Sequence, residues 1–331
     1  MNHTMRALIL EQHQSPFALR TVSRPAAGKG ELLVRIHASG VNPLDVKVRS
    51  GAAGHAKTTL PAILGMDVAG VVEEIGDDVS GFRIGDMVYG MAGGIGGIPG
   101  SLAEFGAFDA NLLARKPDNF SMREAAALPL IFITAWEGLV DRANVKAGQK
   151  VLIHGGAGGV GHIAIQIAVA RGAKVYATGS AAQKELIESL GATAIDYRNM
   201  SVEDYVQRYT DGEGFDVIYD TVGGATLDAS FAAARAYTGH VVSCLGWGTH
   251  SLAPLSFRAA SYSGVFTLLP ILSGKGRAHH GDIMREATAM AEKGKLRVIV
   301  DPTRFDFDNA TEAHIAIENR TAKGKLVVEI V

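Results

Sequence analysis

Among its 331 residues the chain carries a single cysteine, Cys244. An intramolecular disulfide is therefore excluded, and so is a four-cysteine structural zinc site. Charge of one sign is equally scarce, since 32 Lys+Arg against 34 Asp+Glu leaves a formal net charge of −2. That balance gives no support to nucleic-acid binding as the main activity. No block of like charge marks an acidic or basic tail. Apolar runs such as 68–72 and 163–170 fall short of the roughly 20 residues that span a bilayer. The opening MNHTMRALIL has no cationic stretch followed by a long apolar one. The expectation is a soluble, cytoplasmic protein with no membrane or nucleic-acid partner. Met5 offers an alternative start.

Glycine, by contrast, is abundant at 40 residues, which implies many tight turns or close approaches of backbone to a ligand. At roughly 100–200 residues per domain the length suggests two domains. The first third reads as strands at 5–10, 31–38 and 68–75, separated by Gly, Pro, Asn and Asp clusters. The glycine-rich stretch 91–100 carries little side-chain mass and reads as a mobile loop with a structural turn role, or as a flap over a site. From about residue 149 the pattern changes to alternation. Strands at 151–153, 173–178, 215–219 and 240–245 alternate with helices at 162–171, 182–190 and 225–236. Such spacing means βαβ units and a parallel sheet. Helices at 282–293 and 309–319 and a strand at 326–331 complete the reading. The fold class expected is α/β.

The sharpest local signal is Gly156-Ala157-Gly158-Gly159-Val160-Gly161. An apolar strand enters this turn and an apolar-periodic helix leaves it, the context a dinucleotide-binding turn requires. The first glycine allows the turn, the second lets backbone approach a pyrophosphate, and the third lets helix and strand pack. The helix N-terminus presents N–H groups and partial positive charge to phosphate. An NAD-preferring protein carries Asp or Glu about 20 residues further on, accepting from the ribose 2′-OH. Here residues 177–184 read Ala-Thr-Gly-Ser-Ala-Ala-Gln-Lys. Ser180 can donate to a 2′-phosphate and Lys184 can supply charge, which points to NADPH. The alternative is that Lys184 is a solvated helix residue.

A catalytic zinc needs about three protein ligands and an open position. Cys244 ends an apolar strand and reads as a small core residue. His279-His280 reads as a solvated pair on a surface turn.

Six stretches together resemble the zinc-independent quinone oxidoreductase branch of the medium-chain dehydrogenase/reductase superfamily. They are SGVNPLDVKVRSG (39–51), LPAILGMDVAGVVEEIGDDVSGFRIGDMVYG (60–90), AALPLIFITAWEGL (126–139), GQKVLIHGGAGGVGHIAIQIA (148–168), DTVGG (220–224) and GKLVVEI (324–330). Where the zinc branch has a liganding Cys, this chain has Asn42. Where that branch has Gly-His-Glu, this chain has Gly65-Met66-Asp67. The resemblance implies a GroES-like β-rich substrate domain, 1–122 with 304–331, and a Rossmann nucleotide domain, 123–303, with the active site in the cleft between them. It implies a pocket for the adenosine 2′-phosphate at Gly179, Ser180, Lys184 and Tyr197, although Tyr197 also reads as an ordinary half-buried tyrosine. It places Val222, Leu245, Gly246, Val265, Phe266 and Thr134 near the nicotinamide half, and makes Lys325 a cofactor contact. It also implies a homodimer through the segment 256–269.

Without a metal, the acceptor of a hydride must already be electrophilic. Quinones and α,β-unsaturated carbonyls meet that condition, because the developing charge is a delocalised anion that hydrogen-bond donors can stabilise. Asn42 and Lys47 are the candidate catalytic donors. Lys47 is equally a candidate cofactor ligand or an exposed lysine, and Asp45 could hold Lys47 or a loop N–H. The function expected is NADPH-dependent reduction of a small electrophilic carbonyl or quinone. The alternatives are an alcohol dehydrogenase and a non-catalytic NADPH-binding protein of the crystallin or sensor kind.

Overall fold

The computed structural model describes residues 3–330. Residue 331, the end of the strand expected at 326–331, lies outside the described residues. Along the chain, β1 (Thr4–Leu10), β2 (Ala18–Ser23) and β3 (Glu31–Val41) lead into helix α1 (Pro43–Ser50). Next come β4 (Ala62–Ile63), β5 (Asp67–Ile75), β6 (Met87–Met91), β7 (Phe105–Asp109) and β8 (Leu113–Arg115). Helices α2 (Met122–Ala127) and α3 (Pro129–Trp136) precede the alternating region. That region runs β9 (Lys150–Ile153), α4 (Gly159–Ala170), β10 (Lys174–Gly179), α5 (Lys184–Ser189), β11 (Thr193–Asp196), α6 (Val202–Thr210) and β12 (Val217–Asp220). It continues through α7 (Ala225–Ala233), β13 (His240–Ser243), α8 (Ala253–Ser256) and β14 (Ser261–Gly264). The last elements are α9 (Leu269–Ser273), α10 (Arg277–Glu292), α11 (Ala310–Glu318) and β15 (Leu326–Glu329).

Two compact units result. One includes the chain up to Leu130 and again from Leu268; the other is Ile131–Thr267. The resemblance sets these boundaries at 122/123 and 303/304. Helix α10 accounts for the second difference, because it packs within the first unit. There the Tyr89 hydroxyl donates to the Met284 carbonyl at 2.9 Å and Arg277 pairs with Asp109 at 3.1 Å.

The second unit is built on a six-stranded sheet in the order β11-β10-β9-β12-β13-β14, with each neighbouring pair parallel. The order reverses between β9 and β12, the doubly wound arrangement in which ligands bind beyond the carboxyl ends of the strands. Continuous apolar runs suit such a sheet, because helices cover both faces. Val151, Leu152 and Ile153 of β9 are fully buried, and Leu152 and Ile218 pack with Phe215, Phe231 and Val241 in one core. Burying each side chain of this size contributes about 1.5–3 kcal/mol.

In the first unit, β3 is the hub. It pairs antiparallel with β5, β7 and β15. A smaller sheet runs β2-β1-β4. The register of β15 on β3 sets Leu326 opposite Val41, so the residues that follow and precede them, Asn42 and Lys325, come together. Helix α1 begins there because Asn42 is its N-cap in extended backbone, Pro43 takes the first turn, and Asp45 completes a capping box. It stops at Gly51, whose φ of 82° is the left-handed conformation a C-terminal glycine adopts.

Two expectations change. His279 and His280 lie in α10 rather than on a surface turn, and His280 is fully buried. The helix starts at Arg277, after Gly276 at φ 79°, five residues before the expected 282, because its first turn carries no apolar period to announce it. The stretch 91–100 is stitched into the unit instead of standing free. Ala92 N–H donates to Met66 O, Gly96 N–H to Ala56 O and Gly100 N–H to Ile63 O, at 2.8–2.9 Å. Its glycines make this packing possible: a Cβ on Gly94, which sits at φ 78°, would lie 2.9 Å from Gly65 O.

Candidate active site

The turn after β9 has the geometry of an anion cradle. A Cβ on Gly161 would lie 2.0 Å from Gly155 O, and one on Gly156 would lie 2.7 Å from the Ala177 Cβ. Those two glycines are thus required by the packing of α4 and β10 on the turn. Gly158 and Gly159 are exposed, Ala157 and Val160 are half-buried, and Gly158 caps α4 with no side-chain hydrogen bond. The first N–H groups of a twelve-residue helix are therefore left to an anion from outside. These residues fit the pyrophosphate of a dinucleotide.

At the end of β10, Gly179 is buried and Ser180 is half-buried. The Ser180 N–H donates to Gln183 Oε1 at 2.9 Å in a capping box. Lys184 is exposed, its Nζ 3.9 Å from Glu188. Tyr197 is exposed, and its N–H donates to Gly179 O at 3.3 Å. Two groups here escaped the sequence reading. Asp196 pairs with Gly179 in the β11–β10 register, so a carboxylate does stand at this end of the sheet. Its oxygens accept from the Arg198 N–H at 3.1 Å and the Asn199 amide at 2.7 Å. Arg198 adds a second cation, its guanidinium 5.8 Å from the Tyr197 ring centroid.

Beyond β12, β13 and β14 lie the residues expected near the nicotinamide half. Val222, Gly246 and Phe266 are exposed, Leu245 is half-buried and Val265 is buried. Asp220, which the sequence reading passed over, shapes this rim. It is fully buried and accepts from Val222 N–H at 3.1 Å, Gly223 N–H at 3.0 Å and the Ser243 hydroxyl at 2.7 Å. It therefore fixes the turn that presents Val222. Thr134 is buried, its hydroxyl 3.1 Å from that of Thr267, and its carbonyl accepts from the Tyr219 hydroxyl at 2.6 Å.

In the first unit the two polar residues singled out in place of metal ligands, Asn42 and Asp67, touch each other. Asn42 Nδ2 donates to Asp67 Oδ2 at 2.9 Å, and both residues are fully buried. The Lys325 ammonium, also buried, donates to Asn42 Oδ1 and to Val41 O. Asp45 Oδ2 accepts the Asn42 N–H at 2.9 Å, so of its two anticipated tasks the structure shows the loop N–H. Leu130 N–H donates to the other Asp67 oxygen at 3.0 Å.

Two carboxyls and one ammonium thus share a buried pocket. Burial, reinforced by the charge of Asp67, pushes Asp45 up to about 7. Burial pushes Asp67 to about 6 against the pull of Lys325 and the Asn42 hydrogen bond. Burial lowers the Lys325 pKa, and the two carboxyls oppose that shift. The cluster is a structural brace joining β3, α1, β5 and the approach to β15. Within it Asn42 and Lys325, anticipated as a donor and a cofactor contact, are buried and hydrogen-bonded to each other. Lys47, one turn further along α1, is exposed.

The donor set does not suit a metal ion, since Asn42 and Asp67 are engaged with each other and Asn42 with an ammonium. Among the described residues no three of His, Cys, Asp and Glu converge. A cavity of about 280 Å³ in the same unit is walled by Ile9, Thr58, Ile63, Ile95 and Ile98, the last two from the stitched glycine stretch.

Comparison with known proteins agrees with this architecture. Residues 28–118 match the alcohol dehydrogenase GroES-like domain, and residues 190–328 match the family described as zinc-binding dehydrogenase. The chain is 36% identical over 315 residues to the 2-methylene-furan-3-one reductase of Solanum lycopersicum, covering 93% of this chain and 74% of that one. It is 35% identical over 312 residues to the NADPH-dependent alkenal/one oxidoreductase, chloroplastic, of Arabidopsis thaliana, covering 92% and 73%. The crystal structure of an alcohol dehydrogenase superfamily protein from Novosphingobium aromaticivorans superimposes with a TM-score of 0.97 at 53% identity, covering 99% of this chain and 100% of that one. The chain belongs to the medium-chain dehydrogenase/reductase superfamily, among its quinone oxidoreductases and enone reductases. It is an oxidoreductase with a GroES-like unit and a Rossmann unit.

Proposed function

We propose that this chain uses NADPH to reduce quinones or α,β-unsaturated carbonyls without a metal ion, in the cytoplasm. The observation that carries the reading is the Asn42–Asp67–Lys325 brace. Its polar atoms are spent on one another, so the acceptor must bring its own electrophilicity, as a quinone or an enone does. When bound, NADPH would supply a hydride from the nicotinamide.

The preference for NADPH rests on the adenosine end. The only carboxylate in register with Gly179, that of Asp196, is tied to its own loop, while Ser180, Lys184, Tyr197 and Arg198 lie nearby. A free carboxylate would accept from a ribose 2′-OH; exposed cations favour a 2′-phosphate instead. Lys47 is the donor we assign to the acceptor oxygen, in preference to the buried Asn42. The exposed edge strand β14 is the segment through which two copies would pair their sheets as a homodimer.

Steady-state rates of NADPH oxidation with 1,4-benzoquinone, an enone and an enal test the reading, set beside NADP⁺ reduction with simple alcohols. The expected result is turnover of the activated acceptors and none of the alcohols. Alcohol oxidation at comparable kcat/KM would overturn it.

A further inference from the structure

Strands β1 and β4 set Ile9 opposite Ile63 in their antiparallel register, so the two side chains share one face of the small sheet. The glycine stretch that follows β6 adds Ile95 and Ile98, and the four isoleucines wall the cavity of about 280 Å³. Among the described residues that line it, none is charged, none is aromatic, and only Thr58 and Thr59 carry polar side chains. Ile95 is 1% exposed, while Ile9, Ile63 and Ile98 are half-buried. The cavity therefore has an apolar floor and opens to the surface.

The wall is held by its own hydrogen bonds. Gly94 N–H donates to Ile98 O at 2.9 Å, Ile98 N–H to Ile95 O at 3.0 Å, and Gly100 N–H to Ile63 O at 2.9 Å. The Thr58 hydroxyl reaches Gly94 O at 3.4 Å. These bonds tie the glycine stretch to itself, to Thr58 and to β4, and they occupy polar groups that water would otherwise take. An ordered water needs about two to four polar partners. This wall offers few, so an apolar group that displaces its water gains affinity. A preformed apolar concavity is the usual form of a small-molecule site. An apolar cavity of about 150 Å³ holds one benzene, so this one has room for about eight carbons.

We propose that the cavity is a binding site for an aliphatic chain of about eight carbons, seated on Ile95 between Ile9, Ile63 and Ile98. Two sources have that chemistry: the alkyl tail of the acceptor, and a separate aliphatic molecule. Only the first rests on the reductase reading.

The test titrates 1-octanol and 1-butanol calorimetrically into the full chain and into Ile98→Trp, whose indole would fill the cavity. Wild type should bind one 1-octanol about a hundredfold more tightly than 1-butanol, at about three- to fourfold for each buried methylene. Ile98→Trp should weaken 1-octanol by about tenfold or more. An NADPH Kd within about twofold of wild type, from nicotinamide fluorescence, would show that the variant is folded. Ile98→Phe, a smaller intrusion, takes its place if it is not. A preference for 1-octanol below about tenfold, or 1-octanol binding unchanged in the folded variant, would overturn the proposal. A second arm compares kcat/KM for oct-2-enal and but-2-enal with NADPH. If the acceptor's tail is the occupant, wild type prefers oct-2-enal by about tenfold or more and Ile98→Trp abolishes the preference. If a separate molecule is the occupant, the variant loses 1-octanol and keeps the enal ratio. A wild-type chain that binds 1-octanol and reduces neither enal would refute the reductase reading and leave the cavity assigned.

Discussion

Replacing Lys325 by methionine removes the only ammonium in the buried Asn42–Asp45–Asp67 cluster and keeps most of the volume. Two acceptors, Val41 O and Asn42 Oδ1, lose their donor, at about 1–3 kcal/mol each. Release of the lysine from its own desolvation offsets part of that. The carboxyls add a pH-dependent part. Asp67 has its pKa raised from 3.8 to about 6, so above pH 6 it already destabilises the native state by about 3 kcal/mol. Without Lys325 its pKa rises further, until protonation of the native state limits the penalty. That limit is about 1.4 kcal/mol for each pH unit above the unfolded pKa, or about 3 kcal/mol at pH 6 and about 6 at pH 8. A raised acid loses stability as pH rises toward its folded pKa, so the variant should fall further behind wild type as pH increases. Urea unfolding should show a gap of about 2–4 kcal/mol at pH 6, widening by up to about 3 kcal/mol at pH 8. A gap below about 1 kcal/mol, or one equal at both pH values, would refute the assignment of Lys325 as the counter-ion of this cluster.

Two further substitutions probe the proposed chemistry. Lys47→Ala should lower kcat for quinones and enones by about tenfold or more while leaving the urea midpoint unchanged, because the side chain is exposed; unchanged turnover would remove Lys47 from the mechanism. Lys184→Glu should raise the KM for NADPH by about tenfold at low ionic strength and less in 0.5 M salt, with NADH little affected. An equal effect on both cofactors would argue against a 2′-phosphate contact.

What could be read along the chain was what is local. The dinucleotide turn declares itself because its glycines, the strand before it and the helix after it occupy some twenty consecutive residues, and the clashes a Cβ would make at Gly156 and Gly161 match that reading. The α/β class and the strand–helix alternation were legible for the same reason. The polar brace was not, because Asn42 meets Lys325 only through the pairing of β15 with β3. No local pattern encodes a contact between residues so far apart in sequence. Asp196 was hidden in the same way, because it reaches Gly179 only through the β10–β11 register. Asp220 could have been found, since an acid that ends a buried strand just before two glycines is placed to bind turn N–H groups.

The central claim is that the hydride goes to a conjugated acceptor rather than to a carbonyl carbon. Incubation with NADPH deuterated at nicotinamide C4, in both stereochemical forms, and pent-3-en-2-one would locate the label by NMR of the product. The expected product is pentan-2-one carrying deuterium on the former β-carbon, from one of the two cofactor forms. Deuterium on a carbinol carbon would contradict it and favour an alcohol dehydrogenase.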